Sequence, residues 1–581
     1  MTTENSLDPV TLALFQNRLD YVARQMGWVM IRTSRSPIFN QSHDFSCFIT
    51  DAKGQLVSQA DGIPIHTGGG GFAVRALLEV FGDIVAPDDA FLLNDPYIAG
   101  GNHLPDWVIA RPVFVDDTLV AFACNRAHQS DIGGGAAGTY NSSATEIFHE
   151  GIRLPPMHLV EGGKVREDLW QLLLANTRTP DYLDGDLRAM LGATRIGRDM
   201  VADAVAGLGI EEGLAYFAGI LDHADKRLRA VVTDLPDGVY EGEDDFVDDC
   251  FEPMDVPIRV TITITGDTMT VDFTGSGPQV KGFKNSSLAN TYSSVYTALS
   301  SFFETDIPRN EGTFRGVEII APKGTVVNAN PPAPVTMCTV YPAQQMIHSC
   351  WKALAQADPT RACAGWGTTT YPVTASTDDT GRTAVVYHWA GSCGGGAVDG
   401  RDGFAQVGPL CALGGLILPN AETFEQILPV RILKQEMRCD AGGAGEYRGG
   451  SGVEYVVEIE EASEYSFRAE GLVKASGFGC NGGKDGIIGT TMVDPHGAEP
   501  FAPKPYGVVN VNHPARMSIV SPSGGGWGDP LVRNADLVLR DVRDGVVSEP
   551  TARDIYGVVI ADGVIDGGAT ESHRAALRND G

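Results

Sequence analysis

Three side chains able to hold a metal gather within residues 94–135, NDPYIAGGNHLPDWVIARPVFVDDTLVAFACNRAHQSDIGGG. WVIARPVFV and TLVAFACNRAH are apolar, β-branched runs on either side of Asp116, Asp117 and Thr118, which predicts a hairpin. Asp106 and His128 lie eleven residues either side of Asp117. Residues equidistant from the turn of an antiparallel pair lie opposite one another on one face, so these two side chains should meet. His103 joins them from the preceding loop. Gly100 and Gly101 before it and Pro105 after it argue against a helix, so a turn brings His103 to Asp106. Two imidazoles and a carboxylate form the ligand set of an open catalytic metal site, with positions left for water or substrate, and zinc, manganese and iron all accept such a set. The spacing alone fits equally well with hydrogen-bonded loop histidines and an Asp106 that caps a turn. The density of Gly100, Gly101, Pro105 and Gly133 to Gly135 favours the metal reading, because it lets backbone approach a shared centre closely.

The elements that must position these residues begin with a helix. Asp8 and Pro9 are an N-cap and first-turn pair, and Leu12, Phe15, Leu19, Val22, Ala23 and Met26 recur at helical spacing, predicting a helix to about residue 34. SCFITD and QLVSQ then flank a turn at Lys53 and Gly54, a second hairpin. The run HTGGGG opens FAVRALLEVFG, whose Phe72, Val74, Ala76, Leu77 and Val80 suggest a helix. Its glycine-rich start suits either an anion cradle or a plain tight turn. Asp44 and His66 are candidate acid/base or ligand-supporting residues if the fold carries them to the metal. Cys124 shares the parity of His128 in the second hairpin strand and reads as a buried structural thiol.

Downstream, VREDLWQLLLANTR, DLRAMLGATRIGRDMVADAVAGLGI and EGLAYFAGILDHADKRLRAVV are helical, with apolar faces for packing or subunit contact. DVPIRVTITITGDTMTVDF is a strand pair turning at Gly266 and Asp267. The acidic EGEDDFVDD before it reads as a solvated face. GSGPQVKGFKNSSLANTYSSVYTALSSFF passes from glycine loop to helix, with Asn285, Asn290 and Thr291 as polar contacts, and QQMIHSCWKALAQA is helical. The fold class is α+β and multidomain: an N-terminal region at 1–164 with the hairpin, a helical segment at 165–237, a mixed region at 238–424 and a β-rich region at 425–581.

The chain has 581 residues, 43% hydrophobic and 20% charged, the profile of a globular protein large enough for several domains. A net charge of -31 disfavours nucleic acid and anionic membrane as partners, since both require basic patches. No apolar run reaches the roughly 18 residues that span a bilayer, and MTTENSLDPV lacks signal-peptide features, so a cytoplasmic location is expected. Ten cysteines without a CxxC pair suit reduced thiols. Seventy glycines exceed the roughly 7% norm, and their clusters between strand-like segments indicate an irregular β-rich enzyme with tight turns.

NDPY and GGNHLPD followed by AHQSDIGG resemble the hydantoinase B/oxoprolinase family, which includes N-methylhydantoinase, caprolactamase and 5-oxoprolinase subunits and the related acetone and acetophenone carboxylase subunits. Pro64 to Gly68 resembles the family's Pro-x-His-x-Gly segment, Pro308, Asn310, Glu311 and Gly312 its Pro-x-Asn-x-Gly core, and SPSGGGWGDP a C-terminal block, so the resemblance covers nearly the whole chain. Glu146, His149, Glu150 and Arg153 resemble its short substrate loop, and fit a surface helix with i,i+4 pairs as well. The resemblance implies that His103, Asp106 and His128 bind one divalent metal (Zn, Mn or Fe), which lowers the pKa of a bound water to about 7. Asp131 is the first candidate for orienting that water or a ligand imidazole, with Asp44 and His66 behind it. The family's reactions consume ATP, yet the chain has no GxxxxGK[ST] loop. GFGCNG at 477–482 is followed by GKDG and opens no helix, so it is not a dinucleotide fingerprint. The resemblance therefore implies a hydantoinase A-type ATPase subunit as partner in a hetero-oligomer, with ATP on the partner, and a small cyclic amide (hydantoin, 5-oxoproline or lactam) as substrate. A ketone carboxylase subunit of the acetone or acetophenone type is the alternative enzyme, although the acetone carboxylase subunit is longer. A non-catalytic scaffold for the ATPase is the alternative from another class.

Overall fold

The computed structural model describes residues 7–60, 62–303, 306–494, 496–497 and 500–580. Contacts divide the chain into two compact units: residues 1–353 with Asp378–Val385 and Gly415–Ile417, and Leu354–Thr377 with Val386–Gly414 and residues 418–581. Each mixes helices with separate sheets, which is the α+β class expected. No single helix among the described residues is long and apolar enough to cross a membrane.

The first unit is built on an antiparallel sheet of seven strands: β1 (Phe45–Asp51), β2 (Leu56–Gln59), β3 (Ala90–Leu93), β4 (Asp106–Val115), β5 (Thr118–His128), β6 (Met157–Glu161) and β7 (Lys164–Val165). Their spatial order is β2-β1-β5-β4-β3-β6-β7. β4 and β5 form the predicted hairpin, and β1 and β2 the second one. β5 carries one extra residue: Phe114 pairs with Leu119 but Val113 pairs with Ala121, so Val120 forms a bulge. Beyond it the register sets Asp106 opposite His128.

Each face of this sheet is covered. Pro9–Thr33, capped by Asp8 accepting from the Thr11 amide at 2.9 Å, buries Phe15, Leu19, Val22, Ala23, Met26 and Met30. It packs beside Pro180–Leu208, which lies on β4 and β5, so the helices at 165–237 are packed within this unit. The other face holds Phe48, Phe91, Val108, Ala110, Phe122 and Cys124 against the helix Gly70–Phe81. Burying each such large side chain contributes roughly 1.5–3 kcal/mol. This helix starts two residues earlier than the apolar pattern suggests and buries Gly70, Ala73, Val74 and Leu77, one i, i+3, i+4, i+7 stripe, leaving Val80 exposed. Its glycines are close packing, not an anion cradle. Gly68 backs onto the Ser293 backbone, Gly70 onto the Phe48 ring, and the space beside Gly71 is taken by the Glu311 carboxylate, which pairs with Arg75 at 2.9 Å and accepts from the Leu56 amide at 2.5 Å. Cys124 is fully buried, which pushes its thiol up, as suits a structural residue, and all ten cysteines are free thiols.

A four-stranded sheet follows, from Gly238–Asp248, Pro253–Thr265, Thr268–Asp272 and Val317–Ile320, with the expected turn at Gly266 and Asp267. The acidic run is more than a solvated face: Asp244 holds His348 at 2.9 Å, and Asp248 holds the fully buried Lys284 at 2.8 Å. Asn285, Asn290 and Thr291, on or before the helix Leu288–Phe302, donate to the carbonyls of Pro334, Cys338 and Val327 and tie down that segment.

In the second unit Val373–Thr377 pairs with Ser463–Arg468, which pairs with Tyr506–Val511, while Val430–Met437, Val453–Ile459, Ala515–Val520 and Thr490–Val493 form another antiparallel sheet. The end of the chain is not β-rich as expected. Ala535–Arg543, Glu549–Asp554 and Gly567–Asp580 are helices, gathered on a small core of Val538, Val547, Ala552, Tyr556 and Val558. The glycine clusters pack extended backbone directly on backbone. Gly450 donates to Gly395 O at 2.8 Å, Gly524 to Gly450 O at 3.0 Å and Gly443 to Gly524 O at 2.9 Å. GFGCNG belongs to this assembly and opens no helix.

Two stability predictions follow from this packing. A Cβ on Gly450 would lie 1.9 Å from Phe404 O, so Gly450→Ala should lower stability by roughly 3 kcal/mol or more in urea melts; an unchanged midpoint contradicts the backbone packing. Asp186, buried, accepts from the Arg35 and Ser36 amides at 2.7 and 3.1 Å through the same Oδ1, and burial pushes its pKa up to about 6. That is above the roughly 3.9 of an unfolded aspartate. The folded state therefore holds this proton more tightly, and stability falls by roughly 2–3 kcal/mol as pH rises from 4 through 6. Asp186→Asn keeps the acceptor oxygen and removes the charge, so with metal stripped from both proteins its midpoint should decline less over pH 4–7 than that of the unsubstituted chain. Parallel profiles would contradict the assignment.

Candidate metal centre

The centre forms where three strands end together. Asp106 opens β4 and His128 closes β5, directly paired. β1 pairs Phe45 with Ala127, so Asp44 continues the row, and the His128 amide donates to Asp44 O at 3.1 Å. Asp44, His128 and Asp106 thus stand side by side across β1, β5 and β4. His103 arrives from the loop before β4. Gly100 takes the left-handed conformation there (φ +63°), and a Cβ on Gly101 would meet Asn94 O at 2.0 Å. His66 comes from the one-turn helix Pro64–Thr67.

Asp106 is the hub. Its Oδ1 lies 2.8 Å from His103 Nε2 and 3.2 Å from His128 Nδ1, and its Oδ2 lies 3.3 Å from His66 Nε2. Asp44 is 3.6 Å from that same His66 nitrogen. Ligand atoms of His103, Asp106 and His128 all fall within 4.8 Å of one another, and all three residues are buried. Burial alone would raise the Asp106 pKa, but His103, His66 and His128 hold it well below the ordinary carboxylate range. Burial lowers His103, yet the nearby Asp106 charge and the Thr336 carbonyl outweigh it and raise its pKa. For His128 burial prevails over Asp106, and the pKa falls. Burial also brings His66 down to about 4, against the pull of Asp106.

The donors fit a divalent cation. His103 Nδ1 lies 2.5 Å from Thr336 O, which fixes the N–H there and leaves Nε2 with a lone pair. His103 Nε2 and Asp106 Oδ2 are fully buried without a hydrogen-bond partner, their short contacts being close but not aligned. A buried polar group left in that state costs roughly 1–3 kcal/mol, and a cation coordinated by both would satisfy them. The Tyr140 ring stacks on His128 at 5.6 Å and 16°.

Other candidates lie differently. Asp131 does not orient an imidazole. Its Oδ1 accepts from the Gly133 and Arg178 amides at 3.0 and 2.8 Å, and its Oδ2 from the Gly138 amide and Arg178 Nη1, both at 3.1 Å. Both oxygens are thus spent on bracing the loop that leads to Tyr140. Glu146 and His149 are exposed, and Ile147–His149 is a single 3-10 turn, so no surface helix forms. Arg153 pairs with Asp95 at 2.7 Å. Glu150 is fully buried, accepts from the Val335 and Thr336 amides at 3.0 and 2.7 Å, and is pushed up to about 7 by burial.

Arg126, two residues before His128, carries a positioning task that its sequence gives no sign of. Fully buried, it donates to His66 O at 2.7 Å, Asn102 Oδ1 at 2.9 Å and Gly100 O at 3.3 Å, clamping the two segments that bear His66 and His103. Asn102 in turn donates to Ile65 O at 2.6 Å, and Ser287 to the carbonyls of Gly101 and Asn102.

This sheet and its buried cluster have counterparts among known proteins. A family model described as hydantoinase B/oxoprolinase matches residues 8–530, and the chain belongs to that family. It is 35% identical to the caprolactamase subunit beta of Pseudomonas jessenii, over 98% of this chain and 100% of that one. The crystal structure of the ATP-dependent caprolactamase from Pseudomonas jessenii superposes with a TM-score of 0.91 at 34% identity, covering 98% of this chain and 100% of the other. A nucleotide-free acetone carboxylase structure has a TM-score of 0.87 at 21% identity over 99% and 83% of the two chains, a likeness of fold.

The His103→Ala, His128→Ala double variant, purified without added metal, should contain less than a tenth of the divalent metal found in the unsubstituted chain, which should hold about one ion. Elemental analysis reads this directly. Equal content in both would remove these residues from the ligand set.

Proposed function

We propose that this chain is the metal-dependent subunit of an ATP-dependent cyclic-amide hydrolase, opening the ring of a hydantoin, 5-oxoproline or lactam that a hydantoinase A-type ATPase subunit has first activated by phosphorylation. The observation that carries the reading is the buried His103, Asp106 and His128 cluster with its unpartnered Nε2 and Oδ2 atoms. The likeness to a subunit named for caprolactamase supports the substrate class. "Subunit beta" supports a second kind of chain, as does the lack of a phosphate-binding loop in this sequence.

When bound, a divalent ion on these ligands supplies an acidified water and polarises a carbonyl oxygen. The chain's own residues supply the rest. His103 is held in one tautomer by the Thr336 carbonyl, and Asp106 is kept ionised among three imidazoles. His66, neutral at pH 7 because burial brings it down to about 4, turns its Nε2 between Asp106 and Asp44. Asp44 is more exposed than Asp106. The His66 and Asp44 pair receives the proton lost by the attacking water and returns it to the leaving ring nitrogen; the acyl phosphate that ring opening leaves is then hydrolysed by a second water to the carboxylate and inorganic phosphate. The buried cluster of two imidazoles and a carboxylate weighs against a purely scaffolding role.

The carboxylase alternative draws on the acetone carboxylase fold. It is separated by assay with the ATPase subunit: ring opening coupled to ATP hydrolysis without added bicarbonate supports the hydrolase, and bicarbonate-dependent ATP consumption with ketones supports the carboxylase. In the same assay His66→Ala should reduce kcat by roughly 10²–10⁴-fold with metal content retained. Full activity in that variant removes His66 from proton transfer.

A further inference from the structure

We infer that Glu150 is a positioning residue for the metal ligand His103, acting through the backbone of Thr336. The inference rests on the proposed metal-dependent reading. Thr336 is held at both ends: its N–H donates to Glu150 Oε1 at 2.7 Å, and its carbonyl lies 2.5 Å from His103 Nδ1. Glu150 Oε2 takes the adjoining Val335 amide at 3.0 Å, so one carboxylate grips two successive peptides in a bidentate arrangement that fixes their rotation. No part of Glu150 reaches solvent. Among the described residues its carboxylate is held by these backbone amides and forms no ion pair with a lysine or arginine. A buried carboxylate without a cationic partner is expensive to keep for stability alone. Here it is placed where it governs the direction of a ligand imidazole.

The surroundings restrain the same segment from other sides, which identifies what is left to Glu150. Tyr97 donates to Ala333 O at 2.6 Å, the Ile147 amide to Pro332 O at 2.8 Å, and Asn285 to Pro334 O at 3.1 Å. On the far side the Met337 amide, in the same peptide unit as the Thr336 carbonyl, donates to Phe283 O at 3.2 Å, and Asn290 donates to Cys338 O at 2.9 Å. Val335 and Thr336, the last step before the His103 contact, are held by Glu150. Losing that grip leaves the Thr336 carbonyl anchored only from the Met337 side, so the backbone at residue 336 shifts and the imidazole is held less firmly in its tautomer and direction.

The test uses the full chain and Zn²⁺ as probe, with affinity from chelator competition and site geometry from the visible spectrum of the Co²⁺-substituted protein. Glu150→Gln preserves the size of the side chain but presents an amide group to a backbone N–H. It should bind Zn²⁺ roughly 10–100-fold more weakly and shift the Co²⁺ bands, with far-ultraviolet circular dichroism unchanged. Glu150→Asp, which keeps the charge on a shorter arm, should fall between Gln and the unsubstituted chain, and serves alone if the Gln variant does not fold. Unchanged Zn²⁺ affinity and Co²⁺ spectrum in the folded variant would overturn the inference. Failure of the unsubstituted chain to bind either ion would instead overturn the metal-dependent reading beneath it.

Discussion

The structure turns on a single buried charge. Asp106 has no exposed surface, and an ionised carboxylate in such a place is costly unless donors surround it. A cation at its unpartnered Oδ2 would add to the compensation that three imidazoles, from residues 66, 103 and 128, bring around it. They come from three separate segments, a one-turn helix, a glycine loop and a strand end, so satisfying this carboxylate obliges those segments to converge. Removing any one leaves the charge less compensated, which is why binding chemistry and local stability cannot be separated at this point in the chain.

Around that charge runs a second layer of restraints made largely of backbone carbonyls. Arg126 ties the segments of His66 and His103 together, Ser287 ties the His103 loop to the start of the helix Leu288–Phe302, and Asn285 and Asn290 tie down the chain on either side of Thr336. Carbonyl acceptors are indifferent to the side chain that carries them. Much of the site's geometry is therefore specified by where the chain passes, through long-range bonds that a local reading of the sequence does not reveal.

That distinction accounts for what the sequence made legible. The hairpin could be read because turn residues flanked by apolar runs fix an antiparallel register locally, and the same counting placed Asp106 against His128. The capped first helix, the helices beyond residue 165 and the turn at Gly266 were readable for the same reason. Asp44 and His66 are not placed by local pattern, because β1 reaches β5 across β2, two helices, β3 and β4. Glu150 reads in sequence equally as part of a substrate loop or of a surface helix with i,i+4 pairs; its burial depends on amides at residues 335 and 336. A carboxylate beside a ligand histidine looks the same in sequence whether it faces a metal or braces a loop, and Asp131 braces a loop. The terminal helices are short and follow glycine-rich strands whose pattern dominates that part of the sequence.

The bulge at Val120 turns the site into a matter of parity. A two-residue turn without it would set Asp106 opposite Ala127, and His128 would project from the other side of the sheet, among the helices Pro9–Thr33 and Pro180–Leu208. The extra residue lies just beyond the pairing with β1, which ends at Ala121, so it resets β5 against β4 alone and leaves the row with Asp44 undisturbed. Along this hairpin, insertions and deletions are therefore not equivalent by size. Changing both arms together preserves the alignment of the ligands, whereas adding or losing a single residue in one arm separates them, even with every ligand still present in the sequence.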